Sequence, residues 1–289
     1  MEKAEAISHG AATIVNAIAT GKGAAVGVDL WTKARVQLTD KAGTIKGNIV
    51  SDPTENPVLI EKTVGKVLEH FNLKGKFGAK VDTWSNIPIA RGLKSSSVAA
   101  NAITLATVAA LDKRLDDLTI LNLGVDAAIE AKVTITGAFD DASASYFGGV
   151  VVTDNLKRKV VKRFKIDEDL TVLFYVPAKK IYTKGSDVQR MRTMASLVKT
   201  AYKQAVKGNY WSALTLNGLI YSSTLGHNPS IAIDALAAGA LAAGLSGTGP
   251  AVTAIVSEEK RDRVKDAWQM YGGDILQARL NHEKAKVVG

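Results

Sequence analysis

Three consecutive serines, Ser95, Ser96 and Ser97, follow a glycine turn in the segment PIARGLKSSSVAANAI, Pro88–Ile103. An alanine-rich helical pattern continues beyond them. Small hydroxyl side chains compete with the backbone inside a helix but are favoured at its start. A helix start presents unpaired N–H groups and a partial positive charge. Glycine lets the backbone approach an anion, and hydroxyls add donors or metal ligands. The run Pro88, Ile89, Ala90, Arg91, Gly92, Leu93, Lys94, Ser95, Ser96, Ser97, Val98 therefore reads either as a phosphate cradle or as a capped helix behind a turn. Neither the G-x-x-x-x-G-K-[ST] spacing nor G-x-G-x-x-G is present, although Lys94–Ser95 superficially resembles the end of the former.

A second glycine loop, GLSGTGPAV at Gly244–Val252, lies between an alanine-rich helical stretch and a strand pattern. Gly247, Thr248 and Gly249 can form a tight turn or turn their amides toward a ligand. Two such loops in one chain favour a nucleotide over coincidence. Three carboxylates complete the set: Glu130 near the end of an apolar helical pattern, and Asp140 and Asp141 after TGAF. Carboxylates, serine hydroxyls and phosphates form the oxygen shell of Mg²⁺. A carboxylate can also take a hydroxyl proton in phosphoryl transfer. For Asp140 a helix cap is the simpler role. His9, His70, His227 and His282 are isolated, with no paired ligand spacing, and only His9, in SHGAAT, lies beside glycine. The four tryptophans are dispersed and read as core.

The elements that must position these groups are mixed. Strand patterns at 24–38, 44–50 and 78–84 alternate with helical stripes at 56–72, 95–111 and 118–133. Strands at 159–164 and 171–176 precede helical patterns at 187–207, 210–223 and 230–243, then a strand, a helix at 258–271 and a last strand at 274–281. Without strict βαβ alternation the class is α+β, with a domain division at 154/155. The 289 residues are 46% hydrophobic and contain no cysteine, which removes disulfides and thiolate chemistry. No apolar run reaches membrane-spanning length and the N-terminus lacks a signal-peptide pattern, so a cytoplasmic protein without a membrane partner is expected. The net charge of +9 suits an anionic partner. Its dispersion favours a small anion over nucleic acid.

The order HGAAT…TGKGAAVGVD, PIARGLKSSSVA, GAFDDASASYFGG, GLSGTGPA resembles the GHMP kinases along essentially the whole chain. Their middle motif, P-x-x-x-G-L-x-S-S-x-A, is filled by Pro88, Gly92, Leu93, Ser95 and Ser96; the small residue comes one place late, at Ala99. Within that superfamily GLKSSS, GAFDDASASYFGG and LSGTGPA look like the archaeal shikimate kinase branch. The resemblance implies a ribosomal protein S5 domain 2-like N-terminal domain over 1–154 and a ferredoxin-like C-terminal domain over 155–289. ATP would lie between them, and the implied activity is ATP-dependent phosphorylation of the shikimate 3-hydroxyl in the route to aromatic amino acids. It further implies that Pro88–Val98 with Gly247, Thr248 and Gly249 bind nucleotide. Ser96 and Glu130 would hold Mg²⁺, and Asp141 would orient and deprotonate the acceptor. In relatives of the mevalonate kinase type the metal carboxylate precedes the catalytic aspartate by eleven residues, the interval from Glu130 to Asp141. His9, Asn16, Lys22, Asp29 and Asp140 are implied acceptor neighbours. Arg190 and Arg192 are candidates for the acceptor carboxylate, since arginine binds carboxylates in bidentate fashion. Two alternatives stay open: another GHMP kinase, for homoserine or a mevalonate-type acceptor, and a nucleic-acid-binding protein.

Overall fold

The computed structural model describes residues 3–178 and 187–288. The chain opens with two long antiparallel strands, β1 (Lys3–Val15) and β2 (Lys22–Thr39), paired from Lys3 opposite Gln37 to Val15 opposite Ala24 with register shifts between His9 and Gly10 and between Thr13 and Val15. A 3-10 turn at Ala17–Ala19 joins them, and the Asn16 side chain accepts from Ile18 N to start it. Along β1, burial alternates up to His9 and is then continuous from Gly10 to Val15. This is the pattern of a strand that leaves a half-exposed face and enters a layer covered on both sides.

On the far side of β2, β4 (Gly78–Ser85) pairs with its second half and β5 (Val150–Asp154) with its first. β3 (Ile45–Ile49) lies parallel to β4, with α1 (Val58–His70) as the crossover that parallel pairing requires. β6 (Lys159–Phe164) forms a hairpin with β5, and β11 (Lys286–Val287) returns from the end of the chain to β1. Three more helices complete this half: α2 (Ser95–Ala110), α3 (Asp117–Glu130) and α4 (Phe139–Phe147). α2 is buried on nearly every face because its alanines and threonines let neighbouring helices and strands approach closely.

The second sheet is antiparallel, in the order β10 (Asp274–Arg279), β7 (Leu170–Val176), β9 (Val252–Ser257), β8 (Ala242–Leu245). α5 (Val188–Thr193), α6 (Ala195–Val206), α7 (Tyr210–Leu225) and α8 (Ser230–Ala237) fall between β7 and β8, and α9 (Arg261–Gln269) between β9 and β10. This is the ferredoxin-like order implied by the resemblance. The division expected at 154/155 falls inside the β5–β6 hairpin; the chain changes sheets between Phe164 and Leu170. A single core cluster joins Ile14, Val26 and Val28 to Phe174, Leu214 and Tyr221, so the halves share their interior. Among the described residues no helix is long and apolar enough to cross a membrane.

Candidate active site

α2 begins at Ser95 behind three residues of positive φ, Ala90, Gly92 and Lys94. Its first turn, Ser95, Ser96 and Ser97, lines a cavity of about 390 Å³ together with Gly92 and Lys94. The loop between β8 and β9 closes on this turn. Ser246 Oγ donates to Gly92 O at 3.0 Å, and Ala251 N donates to Arg91 O at 3.2 Å. A Cβ at Gly92 would stand 2.8 Å from Gly249 O, so the two loops can nest only on a glycine. Lys94 lies across Gly247, where a Cβ would collide with its Nζ. Thus the two glycine segments form one structure, with a lysine folded between them.

The carboxylates come from the start of α4. Ala138 is left-handed, and Asp140 and Asp141 occupy the first helical turn, both buried. Thr13 Oγ1 on β1 donates to Asp141 Oδ1 at 3.4 Å, and Lys94 Nζ lies 3.4 Å from Asp141 Oδ2. Asn155 Nδ2 donates to Asp140 Oδ1 at 2.8 Å, and Thr153 Oγ1 donates to Asn155 Oδ1 at 2.6 Å. Burial and the adjacent Asp141 push the Asp140 carboxyl up to about 7. Burial also raises Asp141, but the Lys94 ammonium and the Thr13 hydroxyl oppose that rise. Buried Asn101 of α2 fixes the two helices to each other, donating to Ala142 O at 2.9 Å and Ser145 Oγ at 2.7 Å. The result is an anion-ready helix start facing a carboxylate that carries an ammonium partner. Such an arrangement can hold a phosphorylated ligand and accept a proton beside it.

Several expected residues meet at this cavity: the helix-start serines, Lys94, Gly247, Thr248, Asp140, Asp141 and Asn16. Others from the loops do not line it. Val98 is core, the Arg91 guanidinium donates to Pro177 O, Pro88 lies off the cavity wall, and Gly249 packs against His227. Glu130 requires a correction. It sits at the exposed end of α3, where Lys62 Nζ at 2.8 Å and Lys66 Nζ at 3.0 Å claim its two oxygens and hold its carboxyl at about 2. Its eleven-residue interval to Asp141 includes the turn at 131–138 and does not bring it to the cavity wall.

Five acceptor candidates are also displaced. His9 lies four residues up β1 from Thr13, about 13 Å along a strand, half-buried with Glu283 and Lys286 nearby. Asp29 accepts from Arg279 N at 2.8 Å and is exposed. Lys22 Nζ stands 5.7 Å from the centre of the Tyr202 ring. Arg190 and Arg192 are exposed on α5, outside the cavity lining, as a solvated helix face would be. In turn, the structure reveals functional neighbours with no motif to announce them. Thr13 and Asn155 serve the carboxylates, while Ile49, Asn56, Leu59 and Ile135 also line the cavity. The position of Thr13 in HGAAT was the sole signal for any of these. Among the described residues no three His, Asp or Glu side chains cluster as a metal site of their own.

Comparison with known proteins adds independent findings. Residues 59–149 match the family model for the GHMP kinases N terminal domain, and residues 214–273 that for the GHMP kinases C terminal. A shikimate kinase from Methanothrix thermoacetophila is 45% identical over 282 residues, 98% of this chain and 95% of that protein. One from Methanosarcina acetivorans is 46% identical over 97% of this chain and 95% of its own length. One from Pyrococcus furiosus is 44% identical over 92% and 95%. Among solved structures, homoserine kinase from Cytophaga hutchinsonii superposes with a TM-score of 0.79 at 18% identity, covering 100% of this chain and 98% of that one. Methanococcus jannaschii mevalonate kinase gives 0.76 at 18% identity, covering 96% and 98%. These two share the fold.

Proposed function

The chain belongs to the GHMP kinase family, and on that premise we propose that it is a shikimate kinase, transferring the γ-phosphoryl group of ATP to the 3-hydroxyl of shikimate. The observation that carries this reading is the convergence of Lys94 and Asp141 on the cavity where the two glycine loops meet. The acceptor is supported by the shikimate kinases that match nearly the whole chain at 41–46% identity.

The first turn of α2 and the β8–β9 loop would take the triphosphate, with backbone amides and the helix dipole offsetting its charge. Asp141 would accept a hydrogen bond from the acceptor hydroxyl and remove its proton as the new O–P bond forms and the bond from the γ-phosphorus to the bridging oxygen breaks. Lys94 Nζ, at 3.4 Å from that carboxylate, favours its ionised form, lies over Gly247, and would meet a phosphate held by that loop. Thr13 holds the other carboxylate oxygen. Asp140 and Asn16 line the same cavity and would neighbour the acceptor.

The donor set fits a magnesium ion carried by the nucleotide rather than by a cage of protein ligands. Ser96 and Asp141 both line the cavity, and Mg²⁺ commonly takes few protein ligands beside phosphate and water. When bound, it supplies neutralisation of phosphate charge.

The test is ADP release measured over a panel of shikimate, homoserine and mevalonate. Turnover confined to shikimate is expected. Turnover of homoserine or mevalonate in its place would overturn the acceptor assignment, and ATP binding with no turnover of any acceptor would overturn the kinase reading.

A further inference from the structure

His227 stands outside every motif, in the corner between α7 and α8, and belongs to no element of the mechanism above. Its Nε2 lies 3.0 Å from Thr248 O. A carbonyl oxygen can only accept, so Nε2 carries the hydrogen and donates. The same nitrogen packs against the α-carbon of Gly249, where a Cβ would stand 2.7 Å away and a second neighbour, Leu245 Cδ1, 2.9 Å away. Gly249 has φ +78, so the residue on which the ring rests has both the conformation and the bareness of glycine.

The corner itself is anchored. α7 packs on β1 and β8, and Gly226 ends it in the left-handed conformation that aims His227 back toward the sheet. Two turns earlier, α7 holds another cavity residue: Asn217 Oδ1 accepts from Asn16 N at 3.1 Å, and Tyr221 OH donates to Asn16 O at 3.4 Å. One helix therefore grips the backbone of Asn16 and, through His227, that of Thr248. On its other flank the β8–β9 loop is tied to the first glycine loop by Ser246 Oγ and Ala251 N. The loop is thus clamped from both sides, and the imidazole is the side-chain half of the outer clamp.

From this geometry we infer that His227 is a positioning residue for the nucleotide, holding the Thr248 peptide so that the Gly247–Gly249 loop is preformed before the phosphates arrive. Gly249 N also donates to Ser246 O at 3.0 Å, so without the imidazole the Thr248–Gly249 peptide keeps only that bond within the loop, and part of its ordering must be supplied at the moment of binding. This rests on the proposal that the cavity binds ATP.

The experiment compares His227→Ala and His227→Gln with the wild type by calorimetric titration of ATP and by steady-state kinetics with shikimate. Glutamine keeps an N–H donor near the position of Nε2. The alanine variant should weaken ATP binding and raise its KM about tenfold, the scale of one lost hydrogen bond, with kcat within about threefold. The glutamine variant should return to within about threefold of wild type. Unchanged ATP affinity in the alanine variant overturns the inference. So does an equal loss with both substitutions accompanied by equal loss of melting temperature, because that is general packing. Should the alanine variant fail to fold, His227→Leu, which fills the space without a donor, takes its place: weakened ATP binding supports the donor role and unchanged affinity overturns it. Failure of wild-type protein to bind ATP would instead remove the functional reading itself. ATP binding without shikimate turnover leaves this test intact.

Discussion

The start of α2 and the start of α4 face the same cavity from neighbouring helices, and both follow a left-handed residue, Lys94 at φ 64 and Ala138 at φ 47. They differ in how the positive end of each helix is satisfied. α4 carries its own anions: Asp140 and Asp141 fill its first turn. α2 has no acidic residue in its first turn, offers three hydroxyls instead, and has a lysine at its cap. One helix end is electrostatically complete and the other is left for an external anion. The lysine of the open end reaches the acid of the filled end, so the two are complementary halves of one cavity wall.

The largest expected break in that complementarity is Asp141→Asn. It keeps the size of the side chain and removes the charge and basicity. Turnover should fall on the order of a hundredfold or more, the scale of a general base, while ATP affinity measured by calorimetry changes little. A variant that loses nucleotide binding and turnover alike would show that the filled helix end also serves the phosphate.

Gly247→Val strikes the opposite half. The added side chain meets Lys94 Nζ, and φ +65 strains any branched residue. Lys94 must leave its position, and ATP affinity should drop about tenfold or more in a protein whose circular dichroism is unchanged. Wild-type affinity in a folded variant would make this loop a turn and no more.

These two halves were unequally legible in the sequence. An anion site made from backbone is local: glycine, serine and a helix start within eleven residues announce it, and Gly92 to Ser97 lie where the pattern puts them. Side-chain chemistry is assembled across the chain. Thr13, Lys94, Asp141 and Asn155 meet from four elements, and no spacing encodes that meeting. The same logic explains the fold. Strands with valine alternation, such as β2, were readable. β1, KAEAISHGAATIV, is rich in alanine because helices from both halves press on it, and that composition hides a strand. β8, AAGL, is divided by its composition between a helical pattern ending at 243 and the glycine loop from Gly244, for the same reason, since Gly244 lies close against Gly218 of α7. His9 and Asp29 fell in the first-motif region but serve the strand pairing and the C-terminal segment, because four residues along a strand carry a side chain out of reach.

A smaller effect separates Asp140 from Asp141. The folded-state carboxyl of Asp140 is raised to about 7 from an ordinary 3.8. Between those values the folded protein holds a proton that the unfolded chain has released, so ligand-free stability declines as pH rises through that window. Asp140→Asn cannot titrate. Its melting temperature should fall less than that of wild type between pH 5 and pH 8, by a difference of a few degrees; Asp141, also raised, keeps some slope in both. Parallel pH profiles for the two proteins would show that Asp140 is ionised in the folded state across this range. Turnover should suffer less than in Asp141→Asn, because Asp140 is tied to Asn155 rather than to the lysine.

Glu130→Gln should have the smallest effect, and it tests whether sequence interval or geometry governs the site. The glutamate bridges Lys62 and Lys66 across α1 and α3, with 43% of its side chain exposed and the lysines 39% and 28% exposed. Its depressed carboxyl, at about 2 against an ordinary 4.5, contributes stability that is present above pH 4.5 and lost as pH falls toward 2. Solvent screens an exposed pair, so the loss in Glu130→Gln should be less than about 1 kcal/mol at neutral pH and smaller still in high salt. Turnover should stay within about twofold of wild type across a magnesium titration, since neither oxygen faces the cavity and no catalytic proton transfer passes through it. A collapse of turnover that excess magnesium restores would mean that both lysines release the carboxylate when nucleotide binds. The interval from Glu130 to Asp141 would then describe the loaded enzyme, and the turn at 131–138 would have to rearrange to bring the metal's ligand inward.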